Sequence, residues 1–393
     1  MVNIAKLEKR ISIISSYDYI AQTNLEKLKN FIITSDSVDL TRITLFSLTE
    51  QFLMDNQTIS KLFIAAAKAG IFELEWNLVC PICGGLENHN SISEINKNTH
   101  FCILCEKDAE VDLNSDVEIT FTLRSDLFTE SIDQYQDKNT YLNFHFSKSL
   151  SRPLGLEEFI SSVIKEYFTI SQSETKRITF KKLKVDTMYH LISLDKSKSL
   201  RINVRNEAPA KNPIIIDMEL NQTGFFPSTV NVPPCDLTLS LKNMCTSKTG
   251  FIIKEVDAGN AIKAAKVYSE EKITFKPFLT GKKLLNNQSF RNLYKSEDIP
   301  ANLHIKASDV TILFTDLKGS TELYEKTGDL KAYSLVQEHF DLLTAVVDLY
   351  EGALIKTIGD AVMAAFSNSK DAVSAAHDMV QQIEKMNKEN LDY

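Results

Sequence analysis

At 393 residues the chain is too long for one ordinary core, and 43% hydrophobic with 24% charged side chains is the balance of folded, modular chains rather than disordered ones. Its 44 basic and 52 acidic side chains give a formal charge of −8, which argues against binding nucleic acid or an anionic membrane through overall charge. No apolar run approaches the roughly 20 residues needed to cross a bilayer, and the start MVNIAKLEKRIS lacks an apolar core with a small-residue cleavage site, so a cytoplasmic protein with no membrane span and no nucleic-acid partner is expected.

Residues 1–77 carry helical periodicity, with Leu62-Phe63-Ile64 and the alanines before Gly70 forming an apolar face closed by a glycine stop. In 78–111 that period vanishes and cysteine, glycine and asparagine take over, as where a metal replaces a hydrophobic core. Cys80-Pro81-Ile82-Cys83 and Cys102-Ile103-Leu104-Cys105 have the spacing of a zinc ribbon. Each pair forms a knuckle aiming two thiolates at one tetrahedral ion, so one structural Zn²⁺ held by Cys80, Cys83, Cys102 and Cys105 is expected. Gly84-Gly85 supplies the turn freedom, and His89 and His100 are read as bystanders because four sulfurs complete the site. Cys235 and Cys245 stand apart and are read as reduced and structural.

From 112 to 280 short alternating runs dominate, such as Val117 to Thr122, Ile214 to Ile216 and Leu237 to Leu241, with one helix expected at Leu156 to Tyr167. This reads as a β-rich regulatory domain. Lys176 to Lys184 alternates charge with apolar residues and reads as the solvated face of a strand. Residues 281–309 read as a linker. The expected fold class is multidomain α+β: an N-terminal helical segment, a zinc ribbon, a β-rich middle domain and, over 310–393, a partial ferredoxin-like domain.

That last assignment comes from the order of elements. Val310 to Thr315 is an apolar strand ending at Asp316, and Leu317-Lys318-Gly319-Ser320-Thr321 opens a helix whose backbone N–H groups can cradle phosphate. Val336, Phe340, Leu343 and Val347 mark one face of a packed helix. Gly352 to Ile358 and Ala361 to Phe366 form a hairpin turning at Gly359-Asp360, and Ala372 to Met386 is a second amphipathic helix. Strand, helix, hairpin, helix opens a βαββαβ unit in which the third strand lies antiparallel to the first, so Asp316 and Asp360 are expected side by side. Two such carboxylates call for divalent cations with oxygen ligands, a two-metal site for phosphoryl chemistry. Residue by residue, an alternative stays open in which Asp316 is a helix cap, Asp360 a turn residue and Lys356 an exposed strand residue.

The segments ILFTDLKGSTELYEKTGD (Ile312 to Asp329) and IKTIGDAVMAAF (Ile355 to Phe366) resemble the two signature segments of bacterial class III nucleotide cyclases. The resemblance implies that Asp316, Asp360 and the carbonyl of Leu317 bind two Mg²⁺ or Mn²⁺ ions and that Lys318, Gly319, Ser320 and Thr321 form the phosphate loop. It also implies that Lys356 reads adenine, since an ammonium can donate to the acceptor N1 of that base. The implied activity is an adenylate cyclase that converts ATP to cyclic AMP and pyrophosphate at a dimer interface, as a homodimer or as a heterodimer with a complete cyclase chain. The family pattern continues with a further strand, a second base-reading residue, an asparagine and an arginine that have no counterpart in Val310 to Tyr393. A homodimer of this chain is therefore expected to be nearly inactive, and the sequence to be a fragment. Upstream, WNLVCPICGG, FCILC, DVEITFTL and SFRNLYKSEDIP resemble the N-terminal domain of unknown function found ahead of bacterial cyclase domains. The alternative reading is a non-catalytic regulatory or heterodimerising nucleotide-binding protein; a zinc-ribbon nucleic-acid binder is a weaker third.

Overall fold

The computed structural model describes residues 2–95, 99–128, 133–151, 155–270, 273–294 and 309–389. Helices α1 (Ile4–Ile14), α2 (Gln22–Thr34) and α3 (Asn56–Lys68) come first. Asn3 and Asp55 cap α1 and α3, each accepting a backbone N–H that a helix start otherwise leaves orphaned. Five strands follow: β1 (Phe72–Val79), β2 (Leu86–His89), β3 (Thr99–Cys102), β4 (Lys107–Glu110) and β5 (Val117–Leu123). β1 pairs antiparallel with β5 from Phe72 opposite Leu123 to Leu78 opposite Val117. The helices close over this pair, and Phe63 of α3 stacks on Phe72 and meets Phe121 edge-on, all three fully buried.

Next come α4 (Leu156–Val163) and the strands β6 (Ile164–Ile170), β7 (Thr175–Phe180), β8 (Met188–Ser193), β9 (Lys198–Val204), β10 (Ile214–Leu220), β11 (Phe225–Phe226), β12 (Thr229–Val232), β13 (Leu237–Asn243) and β14 (Thr249–Val256). They form a five-stranded sheet in the order β12-β9-β8-β14-β6 and a four-stranded sheet in the order β11-β10-β13-β7. Leu191, Leu200 and Phe251 of the first share a core with Met218, Leu239 and Leu241 of the second. Where a helix was expected to run to Tyr167, α4 stops at Val163, because the alternation of Ile164, Phe168 and Ile170 commits that stretch to β6. Helices at Lys138–Asn143 and Ala258–Glu270 were not anticipated.

Two short helices, α5 (Gly281–Leu285) and α6 (Gln288–Leu293), bury Leu284 and Phe290 in the first core, with Phe290 edge-on to Trp76. The stretch 281–309 expected to be a linker thus begins as part of that core, and its residues 295–308 lie outside the described residues. Likewise the expected boundary at 77 cuts through β1, and the strand Val117–Leu123 assigned to the β-rich domain belongs to the helical core. Sequence composition changes at these points, but long-range strand pairing crosses them.

The C-terminal unit comprises β15 (Thr311–Thr315), α7 (Ser320–Thr327), α8 (Asp329–Leu349), β16 (Ala353–Ile358), β17 (Ala361–Phe366) and α9 (Ser369–Glu389). Its sheet runs β15-β17-β16, every pairing antiparallel, so the third strand lies beside the first. One face of the sheet packs on the two long helices through Leu343, Val347, Val362, Phe366, Ala375 and Met379. Gly352 admits this packing: a Cβ there would stand 2.5 Å from the Phe366 ring.

Candidate functional site

The four ribbon cysteines converge. Their sulfurs all lie within 4.8 Å of one another, with Cys80 to Cys105 at 3.7 Å and Cys83 to Cys102 at 3.5 Å. A tetrahedral ion with Zn–S bonds of about 2.3 Å requires sulfurs about 3.8 Å apart, so the donor set fits zinc. Hydrogen bonds among the four sulfurs pull the Cys80 and Cys105 thiols below their ordinary value and push those of Cys83 and Cys102 above it, as in a cluster that shares its protons. His100 is not among the four converging ligands, but it hydrogen-bonds the Cys102 sulfur and lies 3.3 Å from Glu87, and His89 faces Glu94. Cys235 and Cys245 are buried and unbridged.

In the C-terminal unit Thr315 pairs with Val362, and its hydroxyl oxygen accepts the Val362 N–H at 3.1 Å. Asp316 follows Thr315 and Asp360 precedes Ala361, so the two aspartates flank the same end of the β15–β17 ladder. Asp316 is exposed and Asp360 half-buried, and neither has an ion-pair partner among the described residues. Gly359, at φ 64°, takes the first position of the hairpin turn that carries Asp360, where a left-handed backbone is needed. Lys356 is opposite Met363, which is opposite Phe314, so the three form a row across the sheet. That row lies on the face turned away from the helices. Ile312 and Phe314 are 42% and 61% exposed there, and Ile358 is 48% exposed. Leu317 to Ser320 border a cavity of about 350 Å³, and Gly319, at φ 81°, turns the chain into α7, whose start has no side-chain cap. Thr321 is exposed on the first turn of α7. Asp316, Asp360 and Lys356 do not line that cavity.

His339 was not singled out from the sequence. It sits on α8 beside the same cavity, 5% exposed, with neither ring nitrogen partnered among the described residues. Burial lowers its pKa, and the charge of Asp360 partly opposes this. The available signal was a histidine at helical spacing on the apolar face of Val336, Phe340 and Leu343.

Residues 13–292 match the model of a family of unknown function, DUF5939. The chain belongs to that family. Residues 304–390, after the DUF5939 unit, match the adenylate and guanylate cyclase catalytic domain. No curated protein matches the chain. Among solved structures, a bacterial light-regulated adenylyl cyclase is similar at 17% identity and a TM-score of 0.20, covering 37% of this chain and 56% of that one. The chain thus spans just over half the length of that cyclase chain. The DUF5939 unit holds the four-cysteine site and the cyclase segment holds the paired aspartates. Among the described residues no helix is long and apolar enough to cross a membrane.

Proposed function

We propose that the cyclase segment supplies the metal- and nucleotide-binding half of an adenylate cyclase site, acting on ATP to form cyclic AMP and pyrophosphate, with the DUF5939 unit as its regulatory input. The observation that carries this reading is the β15–β17 register, which puts Asp316 and Asp360 at one end of the ladder. Asp316, Asp360 and the Leu317 carbonyl would hold two magnesium or manganese ions, and two adjacent carboxylates without a described counter-charge are the donors such hard cations take. When bound, these ions supply Lewis acidity at the reacting phosphate and neutralise the triphosphate. The uncapped start of α7, with Lys318, Gly319, Ser320 and Thr321, offers N–H and hydroxyl donors to phosphate oxygens. Lys356 would donate to the N1 edge of adenine, and the apolar surface around Phe314 would receive the base.

The exposed face of Ile312, Phe314 and Ile358 supports a dimer in which the partner completes the site, since an apolar face of this kind is costly to leave in water. A complementation experiment tests the reading. The purified chain is mixed with a complete class III cyclase whose own two metal aspartates are replaced by alanine. Metal-dependent formation of cyclic AMP only in the mixture, lost with Asp316→Ala or Asp360→Ala, supports it. Tight binding of magnesium and ATP with no product in any mixture would favour the non-catalytic regulatory reading.

A further inference from the structure

Between the ribbon and the β-rich sheets lies a cavity of about 580 Å³, within the range of small-molecule sites. Its walls are apolar and come from separate elements: Leu104 from the second knuckle, Phe159, Ile160 and Val163 from α4, and Ile252 and Val256 from β14. The polar groups are gathered at one side. Lys254 reaches in from β14, its Nζ donating to the Leu104 carbonyl at 2.8 Å and to Glu106 at 3.2 Å. Glu106 also accepts from His190 Nδ1 at 2.5 Å and from Arg201 at 2.8 Å. Arg201 Nε donates in turn to His190 Nε2. Of these groups Lys254 and Glu106 line the cavity, together with Lys107 and with Cys83 and Cys105 of the four-sulfur cluster. Two of the three ammonium donors of Lys254 are used by described residues.

We infer that this cavity binds an amphiphilic carboxylate, an aliphatic chain against α4 and β14 with its anionic head at Lys254. Glu106 already accepts from three groups, whereas Lys254 keeps one ammonium donor that a carboxylate head can take. Such a ligand would touch both a zinc knuckle and the sheet, linking ribbon and β-rich core through one molecule.

The probe is dodecanoate, titrated calorimetrically into the full-length chain, with dodecanol as the uncharged control. Expected are saturable one-to-one binding of dodecanoate and binding of dodecanol at least tenfold weaker. Ile160→Trp, which fills the cavity, should abolish binding, and Lys254→Met should weaken dodecanoate at least tenfold while leaving dodecanol unchanged. Zinc content and circular dichroism of each variant confirm that it is folded. No saturable binding, equal binding of the alcohol, or wild-type binding by folded Ile160→Trp would overturn the inference.

Discussion

Lys61 of α3 donates a hydrogen bond to the carboxylate of Asp348 near the end of α8, 287 residues further along the chain. Gln57, one turn earlier on α3, donates to the backbone carbonyl of the same aspartate. Gln288 of α6 accepts the Leu354 N–H at 2.8 Å, and Asn286 bonds Ser367. The helical base of the DUF5939 unit is thereby joined to the helix, strand and turn that frame the cyclase sheet.

Reversing the charge in Lys61→Glu places two carboxylates together and should loosen this joint by about 1 kcal/mol, the scale of a partly exposed pair. Hydrogen exchange at the Leu354 amide should then quicken about fivefold, while amides of the β-rich sheets keep their rates. An unchanged Leu354 rate would show that the two units do not support each other through this pair.

Purified chain should contain about one zinc, removed by a strong chelator or by Cys102→Ser. Because the ribbon strands have little apolar core of their own, metal binding there is folding energy. Loss of the ion should lower the melting temperature and expose the Phe101 and Leu104 region to proteolysis. A metal-free chain of undiminished stability would count against the site.

Arg42 is buried and donates to the carbonyls of Asn143 at 2.6 Å and Phe146 at 3.1 Å. Its charge faces the carboxyls of Glu75 and Glu118, both pushed up by burial. Arg42→Met leaves those groups uncompensated and should cost about 3 kcal/mol or more, read as a drop in the urea midpoint. A cost within 0.5 kcal/mol, the range of ordinary surface changes, would refute this account.

His145 is held neutral, its pKa lowered from 6.5 to about 3 by burial and then by the Arg42 charge. With the folded value below the unfolded one, the unfolded chain takes the proton first as pH falls. This contribution to stability is intact above pH 7 and declines between 6.5 and about 3. From pH 7 to 5 the loss is up to about 2 kcal/mol. In urea titrations across that interval the wild type should lose up to about 2 kcal/mol relative to His145→Phe between pH 7 and 5; parallel curves would exclude His145 as the source.

Lys356→Glu replaces a donor with an acceptor at the proposed base edge. Metal-dependent binding should shift from ATP toward GTP by at least tenfold, the scale of one hydrogen bond to a charged group. Competition between the two nucleotides measures this without turnover, and an unaltered ratio would remove Lys356 from base recognition.

Read alone, the sequence determined the elements whose signals are local. The Cys80, Cys83, Cys102 and Cys105 spacing foretold the four-sulfur cluster, because a knuckle turn is set by a few neighbouring residues. The helical period of Val336, Leu343 and Val347, with the Gly359-Asp360 turn, gave the order and pairing of the cyclase segment. Tertiary structure alone decided the rest. That β1 reaches across the ribbon to β5 depends on matching two strands far apart, and no local pattern encodes which strands meet. The burial of α5 and α6 follows from the groove those strands leave, so a stretch that reads as polar linker becomes core. The same holds for the cluster of Glu106, His190, Arg201 and Lys254, drawn from the ribbon and three separate strands: charge is visible residue by residue, but only the fold sets which charges share a wall with an apolar cavity.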